Sequence, residues 1–374
     1  MYHPRYTITN TVAQNLMKIQ RASLLVESLP LPSSVLEILR KESREETVLL
    51  STKLEGNTLD EQAKREALYR QHTSDEQQEV YNLMKAIDYL DDCEERQLPI
   101  TEEFIKKLHA VIRVINHGRR PRQSEYRTEQ NQVGKRNESN WYLPPEPTDV
   151  PRLIEDLVAW VNSSNAQNVP APIKAGVVMW QFLTIHPYMD GNGRTARMIA
   201  TYILRQGGFG LKGLFVLETF YDRNLREYYK NLQMGLHHNY YFGRNDSDIT
   251  QWLEFFISGL AEVFGEAAKL VEEKSQEYTT IEPELIRVLD PNQRIVFTQL
   301  AFRYSWASTS DLRKWLNLSD RTIRDKVKGW IDSGFVMPRD KEGQRIRSVV
   351  LAPEYQSLAQ EIRQEPERYR YLLK

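Results

Sequence analysis

Apolar residues recur at three- and four-residue intervals through most of the chain, the pattern of amphipathic helices. From about 32 to 54, Val35, Ile38, Leu39, Val48 and Leu49 keep that period until Gly56-Asn57 stops it. A second stretch, about 61 to 95, carries Ala67, Leu68, Val80, Leu83, Met84, Ile87 and Leu90 at the same spacing. Thr101-Glu102-Glu103 reads as the start of a helix over 104–114. Between 118 and 147 the period vanishes. There Tyr126, Arg127, Gln132, Val133 and Gly134, then Asn140, Trp141, Tyr142 and Leu143, predict two extended segments of a β-hairpin, closed by Pro144-Pro145. Helices resume over 150–162, 172–184 and 194–206, the last ended by Gly207-Gly208. Past a charged stretch at 271–277, helices over 292–303, 309–316 and 320–333 precede two short strands around Asp340-Lys341-Glu342-Gly343, the order of a winged helix-turn-helix. The expected fold class is mainly α, with a hairpin and a small C-terminal winged-helix (α+β) domain.

Composition narrows this picture without changing it. The 374 residues, 40% hydrophobic and 27% charged, suit an ordinary globular protein of roughly two or three domains. A net charge of −1 gives no whole-chain attraction to nucleic acid or anionic lipid, so any nucleic-acid contact needs a local basic face. Cys93 is the single cysteine, which excludes intramolecular disulfides and multi-cysteine metal sites. The opening Met1-Tyr2-His3-Pro4-Arg5 lacks an apolar signal core, and no run approaches the ~20 apolar residues of a membrane helix. A cytoplasmic location and no membrane partner are expected.

The chemistry concentrates in twelve residues, His186-Pro187-Tyr188-Met189-Asp190-Gly191-Asn192-Gly193-Arg194-Thr195-Ala196-Arg197. Gly191-Asn192-Gly193 directly precedes a helix, so close-approaching backbone meets unpaired N–H groups and the positive end of a dipole, an anion site suited to phosphates. Arg194 and Arg197, spaced i and i+3, bring two guanidinium forks to neighbouring positions. Met198, Ile199, Tyr202 and Ile203 bury the opposite face. Asp190 is a hard oxygen ligand of the kind that holds Mg2+ beside phosphates, and His186 offers a neutral imidazole as a base. Base, magnesium ligand and anion cradle are the parts of phosphoryl or nucleotidyl transfer. The glycine pattern is not a Walker motif and lacks its lysine.

This run resembles the signature of the Fic family, His-Pro-Phe-x-Asp/Glu-Gly-Asn-Gly-Arg-x-x-Arg, with Tyr188 where Phe is usual. The resemblance extends over about 30–265. Glu125-Tyr126-Arg127 with Gln132-Val133-Gly134 is similar to the family's hairpin flap, Tyr142-Leu143-Pro144-Pro145 to the segment after it, His109 to its Leu-His helix, and Tyr228-Tyr229 to a tyrosine pair beside the nucleotide pocket. The resemblance implies a Fic-type helical core and a protein adenylyltransferase using ATP as co-substrate. In it His186 deprotonates a target hydroxyl, Asp190 holds Mg2+, Gly191, Asn192, Gly193 and Arg194 bind the phosphates, and Arg197 grips the γ-phosphate. Gln132, Val133 and Gly134 would dock the target as an added strand, and Tyr229 is a weaker candidate for the adenine side. Ser51-Thr52-Lys53-Leu54-Glu55-Gly56 resembles an inhibitory motif of one subclass, in which Glu55 would pair bidentately with Arg197 and displace the γ-phosphate.

The implied partners are ATP, an unknown target protein with a Tyr, Ser or Thr hydroxyl, the chain itself as a target, and a second copy in a homodimer. In the winged helix Ile323, Val327, Trp330 and Ile331 form the apolar stripe. Arg321, Thr322, Arg324 and Lys328, with Arg339, Lys341, Arg345 and Arg347 on the wing, are candidate DNA contacts, diluted by Asp320, Asp325, Asp340 and Glu342. The domains read as 1–100 helical with the inhibitory motif, 101–265 catalytic core, 266–290 linker and 291–374 winged helix with tail. Alternatives are a transcription regulator with the core as nucleotide sensor, removal of AMP as a second activity, and transfer of another nucleotide or of phosphocholine.

Overall fold

A computed structural model describes residues 2–70, 74–113, 123–134, 141–281, 283–342, 345–366, 369 and 372. Two compact units emerge, Met1–Pro30 with Leu36–Glu273 and Leu31–Val35 with Lys274–Lys374. The first contains α1 (Asn10–Ser28), most of α2 (Ser33–Leu54), α3 (Glu61–Ala67), α4 (Asp75–Glu95), α5 (Glu102–Ile112), α6 (Val150–Val161), α7 (Ser164–Gln167), α8 (Ala171–Ile185), α9 (Asn192–Gln206), α10 (Leu217–Arg223), α11 (Leu225–Gln233) and most of α12 (Thr250–Ile281). None of the described helices is long and apolar enough to cross a membrane.

At its centre lies α8, buried on every side from Ala175 through Phe182 because nearly all its residues are apolar. Trp252 Nε1 of α12 donates to the Gly176 carbonyl at 2.8 Å, and a Cβ at Gly176 would lie 2.8 Å from Leu253 and 2.9 Å from Phe256. Against α8 packs α9, which buries Met198, Ile199, Tyr202 and Ile203. The motif loop joins these two buried helices, so its ends are fixed by packing.

Several boundaries differ from the expected ones. The stretch over 61–95 is two helices, because Ser74 caps a fresh start by accepting from Gln77 N–H. Of the expected hairpin, the described residues show one antiparallel pair, Val133 with Tyr142, whose N–H groups each donate to the other's carbonyl at 2.9 Å. Residues 135–140, including the expected Asn140, lie outside the described residues, as does 114. The expected linker over 266–290 is helical to Ile281, since buried Ala267, Ala268 and Val271 continue the stripe of Leu260 and Phe264. Asn192, not Arg194, opens α9, which brings Gly193 into the first turn.

The second unit contains α13 (Glu284–Arg287), α14 (Pro291–Phe302), β1 (Ala307–Ser308), α15 (Thr309–Leu316), α16 (Asp320–Asp332), β2 (Val336–Glu342), β3 (Arg345–Leu351) and α17 (Pro353–Gln364). Asp290 with Gln293, and Ser308 with Asp311, form capping boxes that fix the starts of α14 and α15. The three strands form an antiparallel sheet in the order β1-β3-β2. Its core gathers Phe297, Leu300, Leu312, Ile323, Val327, Trp330 and Leu351, with Ile331 half-buried beside them. The fold is mainly helical with one small antiparallel sheet.

Candidate active site

His186 ends α8 in the left-handed region, φ 52° and ψ 60°, and its N–H donates to the Phe182 carbonyl. That turn throws the following loop back toward α9. The ring Nδ1 lies 3.3 Å from the Leu183 carbonyl. A carbonyl can only accept, so Nδ1 carries the hydrogen and Nε2 keeps its lone pair. Desolvation lowers the His186 pKa to about 4, so the imidazole is neutral at pH 7.

The loop is bolted from three sides. Asn192, only 2% exposed, accepts the Tyr188 N–H through Oδ1 at 3.0 Å and donates to the Tyr188 carbonyl through Nδ2 at 2.8 Å. Its side chain is thus spent on the loop, leaving only its backbone for the phosphate role expected of it. His109 Nε2 donates to the Asp190 carbonyl at 2.9 Å, its Nδ1 accepts from the Ser124 hydroxyl at 2.7 Å, and its ring stacks on Tyr188 with centroids 3.5 Å apart. Burial pulls the His109 pKa down to about 4. Arg127 donates from Nε to the His186 carbonyl at 3.0 Å, from its backbone to Pro187, and from Nη2 to the Pro145 carbonyl, tying the loop to the chain after the Val133–Tyr142 pair. Tyr142 hydroxyl donates to the Thr184 carbonyl of α8 at 2.6 Å.

Gly191, at φ 78°, approaches His109 so closely that a Cβ would lie 3.2 Å from Nε2. The expected anion cradle begins there, at the N-terminus of α9. Asp190 is exposed at its mouth, with Oδ2 accepting from Arg194 Nη2 at 3.0 Å. Arg194 itself is buried at 1% exposure, its Nη1 3.3 Å from Glu79 Oε1. No group of three or more metal-ligating side chains occurs among the described residues. One exposed carboxylate beside an anion cradle nonetheless fits Mg2+, which takes most of its ligands from water and phosphate.

Glu55 comes from the end of α2 and lies over this cradle. Its Oε1 accepts from Arg197 Nη2 at 2.8 Å, and a Cβ at Gly193 would lie 2.0 Å from the same oxygen. The contact is monodentate, not the expected bidentate fork, because Arg197 Nε donates to Ser51 Oγ at 2.9 Å and Nη2 also donates to the Ser51 carbonyl at 3.0 Å. Glu218 adds a second carboxylate, Oε1 lying 3.8 Å from Arg197 Nε. Burial raises the Glu218 pKa, while Arg197 and the Ser51 hydroxyl oppose that rise. Burial works against the Arg197 charge, yet Glu55, Tyr228 and Glu218 lift its pKa above the ordinary value. Tyr228 is buried against Tyr221 and Trp252, and Tyr229 is half-buried beside it within electrostatic reach of Glu55 and Arg197. The Glu218 contact went unread in the sequence, although an acid closing the apolar run Leu214-Phe215-Val216-Leu217 is a signal of a buried ion pair.

Residues 99–204 match the Fic/DOC family model. This stretch of the chain is similar to a Fic/DOC domain. Proteins called protein adenylyltransferase Fic match beyond it: that of Drosophila persimilis is 29% identical over 182 residues, 47% of this chain and 34% of its own length. That of Drosophila melanogaster is 27% identical over 175 residues, 46% of this chain and 34% of its own. The chain therefore spans about a third of the length of these curated relatives. In fold it is similar to a Fic family protein from Desulfovibrio desulfuricans G20, at TM-score 0.59 and 21% identity, covering 94% of this chain and 99% of that one. A Fic-domain signaling protein from Bacteroides thetaiotaomicron aligns at TM-score 0.55 and 19% identity, covering 72% and 98%.

In the second unit α16 exposes Arg321, Arg324 and Lys328, whereas the Thr322 hydroxyl is engaged with Ser319 at 2.8 Å and Arg324 Nε donates to the Asp320 carbonyl at 3.2 Å. Arg339 lies over the Trp306 ring at 4.4 Å. The side chains of Lys341 and Arg345 lie outside the described residues.

Proposed function

We propose that the chain is a protein adenylyltransferase that moves AMP from ATP to a hydroxyl of a target protein or of itself, restrained by Glu55. The observation that carries this reading is the occupancy of the cradle: a carboxylate from another helix already sits where an anion belongs, 2.8 Å from Arg197 and pressed on Gly193. A site that recruits a carboxylate there is built for the oxygen of a phosphate.

The chain's own residues supply the remaining roles. His186 Nε2, with its lone pair free, takes the proton from the attacking Tyr, Ser or Thr hydroxyl. That oxygen bonds to the α-phosphorus while the bond from phosphorus to the bridging oxygen breaks, so pyrophosphate leaves and AMP stays on the target. The N-terminus of α9 and Arg194 neutralise charge on the phosphates, and Arg197 receives the γ-phosphate once Glu55 departs. Asp190 would hold Mg2+, which neutralises phosphate charge when bound. Backbone flanking Val133 is the edge on which a target strand adds, and Tyr229 is the adenine-side candidate.

Incubating Glu55→Gly with ATP, Mg2+ and lysate, then searching for AMP adducts by mass spectrometry, tests the proposal. Adducts on this variant that vanish in Glu55→Gly/His186→Ala support it; none on either variant overturns it.

The second unit favours a separate reading, a winged helix that docks on duplex DNA through Arg321, Arg324 and Lys328. Its support is the helix–strand–helix–helix–strand–strand order with those three cations exposed on α16. Fluorescence polarisation across a salt series checks it, because phosphate contacts require affinity to fall steeply with salt.

A further inference from the structure

The second cradle arginine has a tether of its own. Arg194 is only 1% exposed, and its Nε and Nη1 lie buried without a hydrogen-bond partner among the described residues. Two carboxylates face it: Asp190 at 3.0 Å, 73% exposed at the mouth, and Glu79 of α4 at 3.3 Å. Glu79 uses both oxygens. Oε1 faces Arg194, and Oε2 accepts from Asn57 Nδ2 at 2.9 Å. Asn57 is 8% exposed, and the same Nδ2 donates to the Glu76 carbonyl at 2.9 Å.

Asn57 is also the last link of the α2 terminus. Gly56, at φ 90°, donates to the Lys53 carbonyl at 2.9 Å, and Asn57 N–H donates to the Thr52 carbonyl at 3.1 Å. Those two bonds make a Schellman motif, which fixes Glu55 and Asn57 relative to each other. The terminus that places Glu55 on Arg197 thus also places Asn57 on the carboxylate that holds Arg194.

We infer that Glu79 is the positioning residue for Arg194, and that Asn57 couples it to the α2 terminus that carries Glu55. The inference rests on the nucleotide reading of the cradle, and its physical ground is the burial of Arg194. A buried guanidinium must keep an anionic partner. In the proposed function Asp190 turns to Mg2+, which leaves Glu79 as the partner that holds Nη1 while the remaining donors meet phosphate. An exposed ion pair contributes little, but this one has a buried cation and a carboxylate fixed on its second oxygen.

Isothermal calorimetry of Mg-ATP binding tests this in the Glu55→Gly background, alongside KM and kcat for AMP incorporation. Glu79→Gln keeps the shape and removes the charge; Kd and KM rise about tenfold, between the worth of an exposed ion pair and that of a fully buried one, and kcat stays within about twofold. Glu79→Asp recovers most of the affinity. ATP binding that is unchanged or tighter in folded Glu79→Gln overturns the inference, since a merely structural or merely repulsive carboxylate gives those results. Should Glu79→Gln not fold, Asn57→Ala is read instead: about threefold weaker binding supports the coupling, and unchanged binding overturns it. A Glu55→Gly parent that binds ATP and transfers nothing defeats the transfer reading alone, because Kd still reports on Glu79.

Discussion

Adding one methyl group at Gly193 tests how closely Glu55 seats on the cradle. Gly193 lies in the first turn of α9, where alanine is conformationally acceptable. A Cβ there would lie 2.0 Å from Glu55 Oε1 and 2.8 Å from its carboxyl carbon. Ordinary contact needs about 3.5 Å, so the carboxylate must recede by roughly 1.5 Å. That lengthens the 2.8 Å contact with Arg197 Nη2 beyond hydrogen-bonding range. Losing a charge-assisted hydrogen bond costs about 1.5–3 kcal/mol, with Ser51 and Glu218 still on Arg197 favouring the lower end. Replacing glycine by alanine in a helix returns up to about 1 kcal/mol, which would mask part of the loss. A double-mutant cycle removes that offset. Urea unfolding of wild type, Gly193→Ala, Glu55→Ala and the double variant should give a coupling of about 1.5–3 kcal/mol, with Gly193→Ala neutral or stabilising once Glu55 is gone. Coupling near zero would refute the placement of Glu55 over the N-terminus of α9.

Three further outcomes follow from the same contacts. His186→Ala in the Glu55→Gly background should abolish AMP incorporation while calorimetry finds ATP affinity within about twofold, because the ring acts on the hydroxyl and not on the phosphates. His109, lowered to about 4 in the fold, binds its proton more readily when unfolded. Its contribution is therefore complete above the unfolded pKa of about 6.5 and is lost as pH falls toward 4, on the order of 3 kcal/mol; urea unfolding should find that acid loss reduced in His109→Gln. Glu218 has the opposite sign, its pKa being raised by burial. Its ionisation weakens the fold as pH rises above the ordinary carboxylate range, so Glu218→Gln should gain on wild type across that window in the same unfolding series.

The motif was legible because its chemistry is local: His186, Asp190, Gly191 and both arginines lie within twelve residues, and the glycine-to-helix junction has one physical meaning. Glu55 was legible by its resemblance to a known pattern, but its geometry was not, since the competition of Ser51 for Arg197 depends on packing between residues 146 positions apart. Glu79 and Glu218 look like ordinary helix acids in the sequence; only the burial of the arginines gives them meaning. Around the described part of the hairpin, Arg127 and Leu143 spend hydrogen bonds on the motif loop and on 238–240, contacts that no local pattern announces. The helix through 266–281 was hidden because Glu272 and Glu273 lie on the exposed face of α12, whose buried stripe continues through Val271.

The proposed function is transfer of AMP from ATP at a cradle that Glu55 keeps closed. Parallel incubations of wild type and Glu55→Gly with ATP radiolabelled at the α- or the γ-phosphate address it most directly. Protein-bound label is expected from the α-phosphate alone, strong in Glu55→Gly and weak in wild type. Label arriving from the γ-phosphate, or equal α-label in the two proteins, would contradict it.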